Sequence, residues 1–263
     1  MGIKVNMKKS LLLAALVLLA TTAASAARKA IYKPWENGRL KVSDNQRYLV
    51  HENGKAFFWL GNTSWLMPER LNRDEVEYFL NKERQCGYNV EQIQVLNAIP
   101  TFNVYGQQAN NKEFDFSRVS RPGIYGYWEH MDYIVDQAEK NGIYIAMDCI
   151  WGSMIGDMDV KKATAYGKFL GERYKNKPNI IWLIGGDILG DKSPEVWDAL
   201  ARAIKKYDKN HIMTFHPRGR TTSARWFNDR EWMDFNMFQS GHRRYGQRNG
   251  DGDYTIKDNT EED

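Results

Sequence analysis

Asn179-Ile180-Ile181-Trp182-Leu183-Ile184-Gly185-Gly186-Asp187 is the stretch from which the fold is read. Its apolar run is short, rich in isoleucine and bounded by glycine, which marks a buried strand and the most apolar one in the chain. A helical pattern from about Asp159 to Tyr174 leads into it. On the far side, Ser193 caps a second helix with Pro194 at its first position, ending near Tyr207. The next strand is Ile212 to Phe215. A strand that returns through a helix comes back to the same end of the sheet, so the pairing is expected to be parallel.

The same alternation extends toward the N-terminus. Trp128, Met131, Ile134, Val135 and Ala138 share one helical face, Gly142 ends that helix, and Ile143 to Met147 is a strand. Asn72 with Glu75 three residues on is a reciprocal helix cap, Gly87 stops the helix after Cys86, and Val90 to Leu96 follows as a strand. Arg39 to Val50 turns at Asp44-Asn45, and a second turn at Asn53-Gly54 leads into Ala56 to Leu60. This pattern predicts a hairpin feeding the first buried strand. Phe235 to Phe238 reads as the sixth strand. Between Ala98 and Tyr125 lies a Gly- and Asn-rich connection of a length usually kept for function.

Polar groups gather just after nearly every strand: Asn62 and Trp65, Asn97, Asp148 and Trp151, Asp187, His216, Gln239 and His242. A closed barrel brings all those strand ends to one mouth, whereas an open doubly wound sheet offers only the crevice at its switch point. No Gly-x-Gly-x-x-Gly turn follows the first strand. The expected fold is therefore α/β, a (β/α)8 TIM barrel with about six of its eight strands in this chain. After Gln239 the sequence is almost wholly polar. Residues 27–242 are thus expected to be the N-terminal part of a catalytic barrel truncated at its C-terminus, and 243–263 a disordered polar tail.

Residues 1–26 read as a secretory signal peptide: Met7-Lys8-Lys9, the apolar run Leu11 to Ala20, and the small-residue site Ala24-Ser25-Ala26. The chain is accordingly expected in the periplasm or outside the cell. No second long apolar run predicts a transmembrane segment. The net charge of +4 includes Lys4, Lys8 and Lys9 of the signal, and this disfavours a nucleic-acid binder. Cys86 and Cys149 are expected as separate buried thiols. No metal or other cofactor is expected. Asn249, Asp251 and Asp253 open like a calcium loop, but Tyr254 and Thr260 stand where glycine and glutamate are needed. His211 and His216, five apart on a strand, face opposite ways.

Asp187 reads either as a cap at a tight turn or as a general acid in an aromatic-rich pocket, where burial raises a carboxyl pKa. Asp148 either orients a sugar or ties its loop to the rim. Trp65 and Trp151 lie just past strands, where an indole face stacks on a sugar or plugs the core. His216 sits at the rim within hydrogen-bonding reach of a ligand, Gln239 and His242 cluster in Gln239-Ser240-Gly241-His242, and His211 at the opposite strand end reads as structural. There is no Gly-x-Ser-x-Gly elbow and no protease signature around either cysteine, so acyl transfer has no support.

Taken together, Phe57 to Trp65, Gly87-Tyr88-Asn89-Val90, Asn179 to Asp187, His216-Pro217-Arg218-Gly219 and Asp234 to His242 resemble the apiosidase-like glycoside hydrolases, glycoside hydrolase family 140. The resemblance runs from about Arg39 to His242. It implies a glycosidase site at the strand C-terminal ends, with Asp187 as acid/base. The loop histidines and the Gln239 to His242 segment line the sugar subsite, and the substrate is a side-chain sugar such as apiose in pectic plant polysaccharide. It also implies a nucleophilic Glu on a later strand, which this sequence lacks, and Asn62 stands where relatives carry Asp. Two other readings stay open: an inactive carbohydrate-binding barrel fragment, and an endoglucanase- or mannanase-like glycosidase.

Overall fold

The computed structural model describes residues 30–110, 114 and 123–240. Residues 1–26, expected as a signal peptide, His242, and residues 243–263, expected as a polar tail, lie outside the described residues. All that follows concerns the compact unit beginning at Lys33.

A 3-10 turn at Pro34–Asn37 opens the unit, followed by a three-stranded antiparallel sheet of β1 (Leu40–Val42), β2 (Leu49–His51) and β3 (Ala56–Phe57). Both expected turns are present. The strand expected over Ala56 to Leu60, however, does not enter the main sheet: it stops at Phe57, and Phe58 is 79% exposed. The first parallel strand is β4 (Gly61–Thr63). Gly61 packs under the Trp59 indole so closely that a Cβ there would fall 2.5 Å from Nε1, and Trp59 itself turns inward. The apolar run thus serves two surfaces, and hydrophobicity alone does not reveal the break between them.

β5 (Val90–Gln94), β6 (Tyr144–Asp148), β7 (Ile180–Ile188) and β8 (Met213–Pro217) follow β4 in an all-parallel sheet whose spatial order is the chain order. A doubly wound sheet would reverse direction partway; sequential order is the barrel's winding. The helices α1 (Met67–Arg70), α2 (Arg73–Cys86), α3 (Tyr127–Asn141), α4 (Val160–Tyr174), α5 (Pro194–Tyr207) and α6 (Ala224–Phe227) alternate with these strands. Side-chain alternation splits the apolar residues into two layers. Ile93, Ile145, Met147, Trp182, Ile184, Met213 and Phe215 face the helices. Val90, Tyr144, Ala146, Ile181 and Leu183 form the inner cluster with Leu40 and Ile212, and Trp35 and Phe57 stack edge-on against Tyr144. Because Val90 and Tyr144 begin their strands, the antiparallel sheet closes the N-terminal end of the inner face.

Helix ends follow the sequence closely. Asn72 and Glu75 form the capping box, Asp159 caps α4 by accepting from Lys162 N at 2.8 Å, and Gly87 and Gly142 end their helices in left-handed conformation. Ser193 departs from expectation. It precedes α5 at φ 53° and its side chain makes no capping bond, so Pro194 starts that helix without one. Cys86 is exposed, not buried as expected, while Cys149 is buried; both thiols are free. His211 is structural: its ring bonds Asp208 and the Lys177 carbonyl, each at 2.6 Å.

The sixth strand is a further correction. Only Phe238–Gln239 (β10) is extended in a ladder, and it pairs antiparallel with Thr221–Thr222 (β9). Asp234 to Met237 runs beside β8, joined to it by one backbone bond, Asp234 N to the Met213 carbonyl at 2.9 Å, and otherwise by side chains. The Asp234 carboxylate accepts from Met213 N at 2.7 Å, and Thr214 Oγ1 donates to the Phe235 carbonyl at 2.6 Å. A parallel ladder would need backbone groups in those places. The described residues therefore contain five parallel strands.

Glu91 lies fully buried on the outer face of β5, accepting from Ser64 Oγ at 2.6 Å. Burial pushes its carboxyl up to about 8 from an ordinary 4.5, and the neighbouring Glu83 adds to the rise. The folded chain thus keeps a proton that the unfolded chain releases above about 4.5. Stability should fall as pH rises from about 4.5 to about 8. Urea denaturation across that range should show the slope in the native protein and a flatter profile in Glu91→Gln. Identical profiles would contradict the buried protonated acid.

Candidate active site

Along the inner face, side chains change from apolar to polar toward the strand C-termini. Val90, Tyr144 and Ile181 give way to Gln94, Asp148, Thr214 and His216, all buried. Register sets Gln94 beside Asp148, Asp148 beside Leu183, Leu183 beside Thr214, and Gly185 beside His216. Trp65 and Trp151 close one side. Their ring centres lie 5.5 Å apart, and Trp65 meets the His216 ring edge-on at 5.4 Å. Backbone bonds hold both indoles to β5 and its loop: Gln94 N donates to the Trp65 carbonyl, and Trp151 N to the Leu96 carbonyl.

Asp187 does not follow β7, as expected from the sequence, but belongs to its last turn of ladder. The strand runs on through a bulge, with Gly185 opposite His216 and Ile188 opposite Pro217. Gly185, Gly186 and Asp187 hold φ values of 110°, 112° and 49° in succession. At Gly186 a Cβ would fall 2.6 Å from the Trp151 ring and 3.0 Å from an Asp148 oxygen, so only glycine fits. Asp187 itself adopts a left-handed conformation that is costly outside glycine and typical of functional positions.

Asp187 is half-buried, and its Oδ1 is sealed from solvent with no hydrogen-bond partner. Its backbone N–H donates to His216 Nδ1 at 3.2 Å. That nitrogen must then be unprotonated, which leaves the neutral ring's proton on Nε2. Burial pushes the His216 pKa down, and the Asp187 charge only partly opposes the shift. Asp148 is wholly buried and neither oxygen makes a hydrogen bond of ordinary geometry. Burial pushes its carboxyl well above the usual range, Asp187 pushes further, and the Ile150 amide pulls slightly back.

The structure therefore brings together Trp65, Asp148, Trp151, Asp187 and His216. Gln239 lies on β10, which pairs with β9 and runs beside β8, its Oε1 buried without a partner. His242 is outside the described residues. Asn62, expected at the mouth, faces α2 instead and donates to Glu83 at 3.2 Å, because Gly61 and Thr63 take the inward positions of β4. Gln94 was missed by sequence reasoning; the period-two pattern Val90, Gln92, Gln94 carries the signal. No group of three metal-ligating side chains occurs among the described residues. A cavity of about 690 Å³ between the β1–β2 turn and Asn228 to Asn236 contains none of the clustered side chains.

A sequentially wound parallel sheet, with carboxyl groups and indole rings at its C-terminal rim, defines an α/β domain of the TIM-barrel type. Within that class, the chain belongs to the apiosidase-like catalytic domain family, whose model matches residues 43–262. It is similar to a crystal structure described as a glycoside hydrolase family 5 protein from Bacteroides vulgatus ATCC 8482, at 65% identity and TM-score 0.81, over 82% of this chain and 48% of that one. A structure described as a glycoside hydrolase matches at 63% identity and TM-score 0.83, over 88% and 53%. An endo-beta-1,4-mannanase from Thermotoga petrophila shares the fold alone, at 18% identity and TM-score 0.50, over 64% and 44%. The chain spans about half the length of the first two. No curated protein sequence matches it.

Replacing Gly186 by alanine should push Trp151 and Asp148 aside and cost about 1–3 kcal/mol. Gly156→Ala, where nothing lies within 4 Å, is the control and should be near neutral. Denaturant midpoints and tryptophan emission check both. Equal behaviour of the two variants would show that the bulge tolerates a side chain.

Proposed function

We propose that this chain is the acid-bearing part of a glycoside hydrolase that removes a side-chain sugar such as apiose from pectic plant polysaccharide, as in glycoside hydrolase family 140. The observation that carries the reading is the partnerless, buried Oδ1 of Asp187 beside two indoles and a neutral histidine. Asp187 passes its proton to the leaving glycosidic oxygen as the bond to the anomeric carbon breaks. His216, with Nδ1 engaged by the Asp187 N–H, offers Nε2–H to a sugar oxygen. Trp65 and Trp151 supply stacking faces, Asp148 supports the subsite from beneath Gly186, and Gln239 and His242 extend it. The second carboxyl that such hydrolysis needs comes from outside the described residues. A separation of about 5–5.5 Å from Asp187 would give retention, and about 6.5–9.5 Å inversion.

Asp187→Asn should lower release of sugar from an apiose-containing pectic glycan by about 10²–10⁴-fold, while Trp65→Ala and Trp151→Ala should weaken binding. Turnover unchanged in Asp187→Asn would sink the assignment. The indole pair does not depend on the carboxyl group, and this favours one second reading: glycan binding without turnover. Binding that survives in Asp187→Asn, with no release by the native chain, would select it.

We also propose export, with the mature chain starting at Ala27 or Arg28, on the strength of the basic start, apolar run and Ala24-Ser25-Ala26. Intact mass of the protein from its producing cell should show the loss of residues 1–26; a cytosolic species retaining them would refute this.

A further inference from the structure

We propose that Gln94 is a specificity-determining residue of this site, its carboxamide binding two adjacent hydroxyl groups of the sugar that Asp187 releases. The inference deepens the glycosidase reading and rests on it for the identity of the ligand.

β5 turns Val90, Gln92 and Gln94 to the inner face and Ile93 to the helices. Gln94 is only 8% exposed, yet its side chain makes no hydrogen bond among the described residues. Its register neighbour on β6 is Asp148, whose two oxygens are themselves without partners, so the amide is not spent on that acid. One pleat deeper, Gln92 has its Oε1 sealed from solvent. Neither polar atom of Gln94 is sealed in this way, so the amide itself reaches the mouth. Backbone bonds on both sides fix that direction: Gln94 N donates to the Trp65 carbonyl at 2.9 Å, and Val95 N to the Asp148 carbonyl at 2.8 Å. The indoles of Trp65 and Trp151, 5.5 Å apart, wall the same end of the strands.

A carboxamide left without a partner in such a place is unfavourable, so a ligand that satisfies it is preferred over one that cannot. An amide sets an acceptor oxygen beside a donor nitrogen. Its complement is a vicinal diol, in which one hydroxyl donates and its neighbour accepts. Two strand spacings, about 10 Å, separate β5 from β7. A sugar ring hydrogen-bonded at both ends bridges that span, with its glycosidic oxygen at Asp187 and its diol at Gln94.

The test is binding of free apiose and of 2-deoxyapiose, followed by calorimetry and tryptophan emission, in the native chain and in Gln94→Met, which keeps the length of the side chain without its amide. The native chain should prefer apiose by about fivefold or more, and Gln94→Met should weaken apiose by about tenfold and erase the preference. Equal binding of the two sugars by the native chain, or binding of neither, would overturn the proposal, and this arm decides even if the variant does not fold. Unchanged affinity in Gln94→Met, with a lowered denaturation midpoint, would assign the side chain to packing instead. Where turnover is measured, Gln94→Met should raise KM by about tenfold and leave kcat within about threefold, because the contact holds ground state and transition state alike. The glycosidase reading stands or falls separately, on release of sugar by the native chain and its loss in Asp187→Asn.

Discussion

The rim of this sheet depends on the bare backbone of Gly186. Trp151 approaches from one side and the Asp148 carboxyl from another, at distances no side chain allows. That close approach lets β7 bulge and continue its ladder with β8, and the bulge aims Asp187 inward at φ 49°. The left-handed aspartate is held by the bond from its N–H to His216 and by the register of the next residue, Ile188, with Pro217. A strand of ordinary pleat would turn residue 187 by simple alternation, without the two glycine φ values that set its present direction.

The inner face is graded. At the N-terminal end of the strands, aromatic side chains from the antiparallel sheet close against Tyr144 and Val90, which excludes water. Toward the other end, the same inward positions carry Gln94, Asp148 and His216. An apolar floor under polar groups has an electrostatic consequence: burial disfavours charge, which pushes the His216 pKa down and the Asp148 carboxyl pKa up.

Much of this was legible from residue patterns. The caps at Asn72, Gly87 and Gly142 were, because each acts within one turn of itself. The parallel winding was, because strand and helix periods alternate cleanly from Val90 to Phe215. The five clustered side chains were found from their places after strand ends. What escaped depends on partners distant in sequence. Phe57, Phe58 and Trp59 announce burial, but only the fold shows that one pairs antiparallel, one is exposed and one covers Gly61. Asp234 reads as a polar residue before a strand, yet its carboxylate takes a backbone bond of β8 and the ladder does not form. The bulge at Gly185 is invisible for the same reason: glycine permits it, while the fit of Trp151 and Asp148 requires it.

The contacts that assemble Trp65, Asp148, Trp151, Asp187 and His216 all arise within β4 to β8 and the loops that follow them. Each is a neighbour relation across one or two ladders: β5 and its loop hold both indoles, β6 carries Asp148, β7 carries Asp187, and β8 supplies the histidine. In a sequentially wound sheet such relations form between consecutive units, so they do not wait on strands farther along the chain. This side of the rim is thus built from consecutive neighbours. A chain spanning about half the length of its relatives therefore carries a rim whose indoles and histidine are packed against one another.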